Sequence, residues 1–255
     1  MVVEYEQNDG IAIIRMNRPE VLNAVNVQMR YEMALAWRRF EDDPDARVAI
    51  LTGAGKAFTA GVDVKESVSD SGTMAMREPP IPIPCLFWTN NDLTKPVIAA
   101  VNGYAMGVGF ILSVLSADLC VAAESASFEI SEIPRGLISG WDWGWEQGWP
   151  RAICMELALG YRITAQRAYD AGLIMGVTPD DKVLETAMAK AREMLRIPPA
   201  VIRAHRDLVR RLKPPVPPEL LELATAYSDA HRGSEDAQEA VRSWMENRPP
   251  VYTGR

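Results

Sequence analysis

Three short stretches of the chain bring together residue types that can do chemistry. The first is Ala60-Gly61-Val62-Asp63, just after Phe58. The second is Asn102-Gly103-Tyr104-Ala105-Met106-Gly107-Val108-Gly109, and the third is Phe128-Glu129-Ile130-Ser131-Glu132. Glycine lets backbone come close to a ligand. A glycine-rich turn between a strand and a helix start can therefore aim backbone N–H groups at a developing oxyanion. One such donor is worth about 3 kcal/mol of transition-state stabilisation. The competing reading of such a turn is tight packing alone. Gly103, Gly107 and Gly109 do not space as a dinucleotide fingerprint. Glu132 is the candidate proton carrier. If a strand runs on from Phe128, a period of two puts Phe128, Ile130 and Glu132 on one face. A carboxyl on that apolar face has its charged form disfavoured, as an acid/base near neutral pH requires. If the strand stops at Ser131, Glu132 is a solvated turn residue.

The elements that must hold these stretches are legible as alternating apolar runs and breakers. Met1 to Asn8 is acidic and strand-like, and Ile11–Met16 reads as a strand closed by Asn17-Arg18-Pro19. Asn23 to Phe40 has helical spacing, with Asn23 or Asn26 as its cap. Residues 47–52, 96–102 and 119–123 read as further buried strands, and Ser127 to Glu132 alternates like another. Phe110 to Ala117 reads as an apolar helix. Ser67 to Pro84, with its proline run, reads as a mobile loop. From Arg151 onward the chain reads as helical, with a proline-rich hinge at 213–218 and a break near Gly233.

Composition narrows the function classes. The 255 residues are 48% hydrophobic and carry a formal net charge of −7, which weighs against a nucleic-acid partner. No run nears the roughly 20 apolar residues that span a bilayer. His205 and His231 are the two histidines, both in the polar C-terminal part, so a zinc site or a Ser-His-Asp triad has almost no material to work with. Cys85, Cys120 and Cys154 form no CxxC pair and read as reduced thiols of a cytoplasmic protein.

The segments NRPEVLNAVN (17–26), KAFTAGVDV (56–64), KPVIAAVNGYAMGVGF (95–110), ADLCVAAESASFEISEIPRGL (117–137), RITAQRAYDAGLI (162–174) and RPPVYTGR (248–255) resemble the crotonase superfamily, also called the enoyl-CoA hydratase/isomerase family. The resemblance covers nearly the whole chain. It implies an α/β (α+β) fold: a crotonase-like spiral of ββα units over residues 1–195, then a C-terminal helical trimerisation region over 196–255. It also implies a trimer or hexamer, an acyl-CoA substrate, and no cofactor beyond the coenzyme A that the substrate carries. Neither nucleic acid nor membrane is an expected partner.

Carried over by position, the oxyanion-hole N–H groups belong to Val62 and Val108. Ala60, Asp63 and Val64 fall where the family lines its coenzyme A channel, Ala24 where its backbone meets adenine, and Gly107 in the turn that approaches the thioester. Tyr252 and Arg255 fall where a neighbouring subunit closes over the nucleotide. Glu132 matches the later of the family's two glutamates. The earlier position reads Ile111, and the helix is one residue longer before Asp118 than the family pattern. One carboxylate suits enolate chemistry that removes and returns a single proton, as in isomerisation or in some hydratase-lyases. Asp142, between Trp141 and Trp143, is the candidate replacement acid, with Glu146 behind it. The plainer reading of Asp142 is a helix cap. Three tryptophans in five residues, Trp141 among them, suggest a bulky or aromatic acyl group. The reading from a different class is a non-catalytic crotonase-fold scaffold or RNA-binding protein, which the loss of the earlier glutamate favours and the acidic charge opposes.

Overall fold

A computed structural model describes residues 1–67 and 93–254, without the side chains of Val64, Ser67, Trp145 and Glu146. The expected loop at 67–84, Cys85 and Arg255 lie almost entirely outside the described residues. The chain divides into two compact units. The first comprises Met1–Asp63, Glu78–Phe128 and Ile163–Leu212; the second comprises Val64–Arg77, Glu129–Arg162 and Lys213–Arg255, each so far as described. Among the described residues no helix is long and apolar enough to cross a membrane.

The first unit is built on a six-stranded sheet. In chain order its strands are β1 (Val3–Asn8), β2 (Ile11–Met16), β3 (Val48–Gly53), β5 (Val97–Val101), β7 (Leu119–Ala123) and β10 (Gly176–Thr178), and they lie side by side in that order. β1 and β2 form an antiparallel hairpin; every later neighbour is parallel. All residues of β3 and β5 are buried. Unbroken apolar runs are what a parallel sheet covered on both faces demands. Helix α7 (Val183–Leu195) packs on these strands through the small side chains Ala187 and Ala191. Helix α1 (Val27–Asp42) packs on β1 and β2 and buries Trp37 and Phe40 edge to face.

A second sheet of four short strands carries the site. It runs β4 (Ala57–Thr59), β6 (Tyr104–Met106), β8 (Ser127–Glu129) and β9 (Ile163–Thr164). β4 and β6 are parallel, and β8 and β9 antiparallel. Two expectations are corrected here. The stretch 103–109 is not all turn, because Tyr104–Met106 pairs as a strand with β4. The strand expected over 127–132 stops at Glu129, because the chain coils into a 3-10 turn over Ile133–Arg135.

The helix expected over 110–117 begins earlier and changes pitch. It opens as α3 (Val108–Phe110) and continues as a π turn over Ile111–Leu115. The Ser116 N–H reaches back to the Ile111 carbonyl at 2.8 Å, a five-residue step. A π turn fits one residue more into the same span than an α-turn. The segment before Asp118 thus holds one residue more than an α-turn of the same length would. The buried Ser113 hydroxyl donates to the Gly109 carbonyl at 2.6 Å within this segment. Helix α8 (Pro199–Arg211) completes the first unit. Its Arg206 binds Asp118 at 2.7 Å, and Asp118 also accepts from the Val97 N–H.

The second unit holds the short helix α2 (Val64–Ser67), the 3-10 turn, α4 (Trp143–Gln147), α5 (Arg151–Ala158), α9 (Pro218–Arg232) and α10 (Glu235–Met245). Helix α10 packs on the 3-10 turn and on α9. Its Asp236 and Glu239 carboxylates accept from the Thr253, Gly254 and Val251 N–H groups, so the C-terminal tail lies back along the helix.

Candidate active site

Val62 and Val108 lie just beyond two paired strands of the small sheet. Thr59 of β4 pairs with Ala105 of β6 in parallel register. Three residues beyond each of these the two chains reach Val62 and Val108. Each valine follows a glycine at positive φ, +95° at Gly61 and +54° at Gly107. Side chains are disfavoured in that region, so glycine is what allows the backbone to turn there. Val62 forms a parallel bridge with Val25. In that bridge the Val25 N–H donates to the Gly61 carbonyl at 2.8 Å and the Asp63 N–H donates to the Val25 carbonyl at 2.9 Å. A residue in a parallel bridge bonds the neighbours of its partner, so the N–H of Val62 itself is left over. Val108 opens α3, and the first N–H groups of a helix have no intrahelical acceptor. Among the described residues neither N–H makes a hydrogen bond.

The backbone here is held by buried polar side chains. Thr59 donates to the Asn23 carbonyl at 2.7 Å and accepts from the Gly61 N–H at 3.1 Å. Asn23 is fully buried, and its amide donates to the Ala54 and Ala57 carbonyls, each at 2.8 Å. Its side-chain oxygen accepts from the Arg18 N–H. The Asn102 side chain accepts from the Gly53 N–H at 3.1 Å and donates to the Gly55 carbonyl at 2.9 Å. Asn26, not Asn23, caps α1, accepting from the Met29 N–H. The bracing role of Asn23 and Asn102 is what sequence reasoning missed. Its one signal was an asparagine beside an apolar stretch. A Cβ on Gly109 would lie 2.8 Å from the Thr59 Cγ2, so glycine there lets α3 sit close to β4.

The other candidates in the first unit have structural partners of their own. Asp63 pairs with Arg18 at 3.1 Å, both mostly buried. The Ala24 carbonyl accepts from the same guanidinium, and the Ala24 N–H donates to Val21. The Ala60 N–H donates to the Leu22 carbonyl at 2.9 Å. Together these bonds fix the chain from Arg18 to Asp63 into one braced loop.

Glu132 lies in the second unit, in helical backbone at the head of the 3-10 turn. Both readings of it were half right. The strand does end before it, yet its carboxyl is partly buried. The Oε2 atom is buried and has no hydrogen-bond partner among the described residues. Burial pushes its pKa up, a backbone hydrogen bond and the Arg135 charge oppose that, and the Glu129 charge adds to it. Glu129 itself is buried and bound by Arg162 at 2.7 Å.

Asp142 directly precedes α4 and is half-buried, the place of a cap residue. Trp143 lies against Gly140, and Trp149 against Gly144 with Cys154, so these two indoles help fill this unit. Trp141 is half-buried and Tyr252 is exposed in the tail.

The family description Enoyl-CoA hydratase/isomerase matches residues 6–255. The chain belongs to the enoyl-CoA hydratase/isomerase family. It is 34% identical to a "Probable enoyl-CoA hydratase" of Rhodobacter capsulatus, covering 99% of this chain and 98% of that protein. It is also 34% identical to a carnitinyl-CoA dehydratase of Salmonella typhi, covering 98% and 97%. The crystal structure of a carnitinyl-CoA hydratase from Mycobacterium avium superposes with a TM-score of 0.84 at 32% identity, over 100% of this chain and 99% of that one. The crotonase-like fold expected from the sequence is therefore present, C-terminal helices included.

Proposed function

We propose that the protein processes an acyl-CoA thioester through its enolate, with the Val62 and Val108 N–H groups as the oxyanion hole and Glu132 as the proton carrier. The observation that carries this reading is the pair of unbonded N–H groups, each behind a positive-φ glycine and three residues beyond the paired Thr59 and Ala105 of neighbouring strands. Backbone donors held by Thr59, Asn23 and Asn102 are preorganised, which is what makes an oxyanion hole effective. Valine at both positions is no obstacle, since the side chain takes no part.

One carboxylate can complete two reactions of this class. In dehydration of a 3-hydroxyacyl thioester, the Glu132 carboxylate takes the α-proton and the enolate forms. The same proton then goes to the departing β-hydroxyl, so that water leaves and Glu132 is ionised again. Hydration is the reverse. In double-bond isomerisation, the proton taken from one carbon returns two carbons along. The names of the carnitinyl-CoA relatives favour the water chemistry. Asp142 we assign to capping α4, and Trp141 to a bulky acyl group. No cofactor is needed beyond the coenzyme A of the substrate.

Residues 196–255 we assign to self-association, as a trimer or hexamer. Leu208, Val209 and Leu212 at the end of α8, and Leu220, Leu221, Leu223 and Tyr227 on α9, are apolar yet exposed in the single chain. Ala60, Asp63, Val64, Ala24 and Gly107, with Tyr252 and Arg255, are assigned to coenzyme A contacts.

The decisive experiment incubates the protein with 2-enoyl-, 3-enoyl-, 3-hydroxyacyl- and aromatic acyl-CoAs and reads products by mass. A change of one water identifies hydration or dehydration, and an unchanged mass with a shifted double bond identifies isomerisation. No product from any thioester would overturn the proposal and favour a scaffold.

A further inference from the structure

The turn that carries Glu132 contains a second buried ionisable group that the mechanism above does not use. Arg135 lies three residues on and donates to the Ser131 carbonyl. Its guanidinium stacks on the Trp244 ring of α10, with 4.9 Å from Cζ to the ring centroid. Its Nε is buried and makes no hydrogen bond among the described residues. Arg135 and Glu132 form no ion pair among the described residues, so each charge is taken from water without direct neutralisation. Such an arrangement is costly for folding. The neighbouring charged groups do not remove the cost. Glu129 is committed to Arg162, and His231 of α9 shares its Nδ1 with the Ser234 hydroxyl while its Nε2 lies against Gly136.

We propose that Arg135 is a positioning residue for the reaction: pinned between the Ser131 carbonyl and the Trp244 face, it supplies a positive potential three residues from Glu132 that favours the carboxylate over the neutral acid. This rests on the reading of Glu132 as the proton carrier. The sign is fixed by the geometry. Burial favours protonated Glu132, and a nearby cation favours the carboxylate, which is the form that takes the α-proton. Stacking on an aromatic ring holds the cation without neutralising it, as a carboxylate partner would. Trp244 belongs to the C-terminal helices, so α10 takes part in setting the chemistry of the turn.

The test is the pH profile of kcat/KM for E132Q, R135Q, R135K and W244L on the thioester the wild-type protein turns over best. In R135Q the acid limb moves to higher pH by about one unit, so kcat/KM on that side falls roughly tenfold while the alkaline plateau stays. R135K keeps the charge and holds the limb near its wild-type place. If R135Q does not fold, W244L carries the test, with a smaller shift in the same direction. A uniform loss at every pH, or an unmoved limb in the folded variants, overturns the role of Arg135. An active E132Q with the wild-type limb overturns the reading of Glu132 itself, which is a separate result.

Discussion

The turn of Val62 and Val108 and the turn of Glu132 solve opposite problems. The first offers backbone atoms, and buried polar side chains brace the chain around it. On the proposed reading, any side chain that preserves the backbone path preserves the donor. The second offers a side chain in a place where its charge is uncomfortable, beside another buried charge that it does not neutralise. There the identity of one residue is everything and its surroundings set its potency. The proposed roles therefore make the first turn tolerant of side-chain substitution and the second intolerant of it.

The comparison can be broken at several points. The largest effect is expected for Glu132→Gln, which removes the proton carrier and lowers kcat about a thousandfold with thioester binding retained. The same variant should melt higher than wild type at neutral pH. A carboxyl whose pKa is raised on folding contributes stability below its unfolded value and loses it as the pH rises through the raised one, so Gln gains above that range and not in acid. Calorimetry at acid and neutral pH checks both halves. An unchanged kcat would remove the distinction between the turns. Gly107→Ala comes next. At a φ of +54° and ψ of −111° an alanine is strained, and the Val108 N–H is displaced. A fall of about a hundredfold in kcat/KM is expected, close to the loss of one oxyanion donor. A variant with full activity would mean that this N–H carries no charge in the transition state.

Asn23→Ala should act on stability more than on chemistry. It strips the Ala54 carbonyl and the Arg18 N–H of a partner while Asn102 still reaches Ala57. A cost of about 1–3 kcal/mol is expected, read as a lower Tm with kcat nearly intact in the cold. The smallest effect belongs to Asp142→Asn. Asparagine caps as well as aspartate, so kcat should stay within about threefold. A fall beyond about tenfold would instead make Asp142 a second acid beside Glu132.

What could be read from residues alone follows from range. β2 and α7 have the bounds that their apolar period and flanking breakers prescribe, Ile11–Met16 and Val183–Leu195. β9 and β10 escaped notice because strands of two and three residues carry no period; their neighbours in the sheet make them. β8 was drawn too long because Ser131 and Glu132 continue its alternation, while the 3-10 turn around Pro134 overrides it. A backbone N–H leaves no mark in a sequence beyond the glycine before it, so the two donors were placed by family motif. Asn23 and Asn26 are equal cap candidates by spacing, and what separates them is that the Asn23 amide donates to carbonyls more than thirty residues away.

The π turn at Ile111–Leu115 decides what a side chain placed there would meet. Such a turn takes up one residue within the helix, so the chain beyond it keeps its course to Asp118. Ile111 opens the turn, and its carbonyl accepts from the Ser116 N–H at 2.8 Å. A glutamate introduced at 111 would stand on that wider backbone, and its reach would be set by the turn as much as by the side chain.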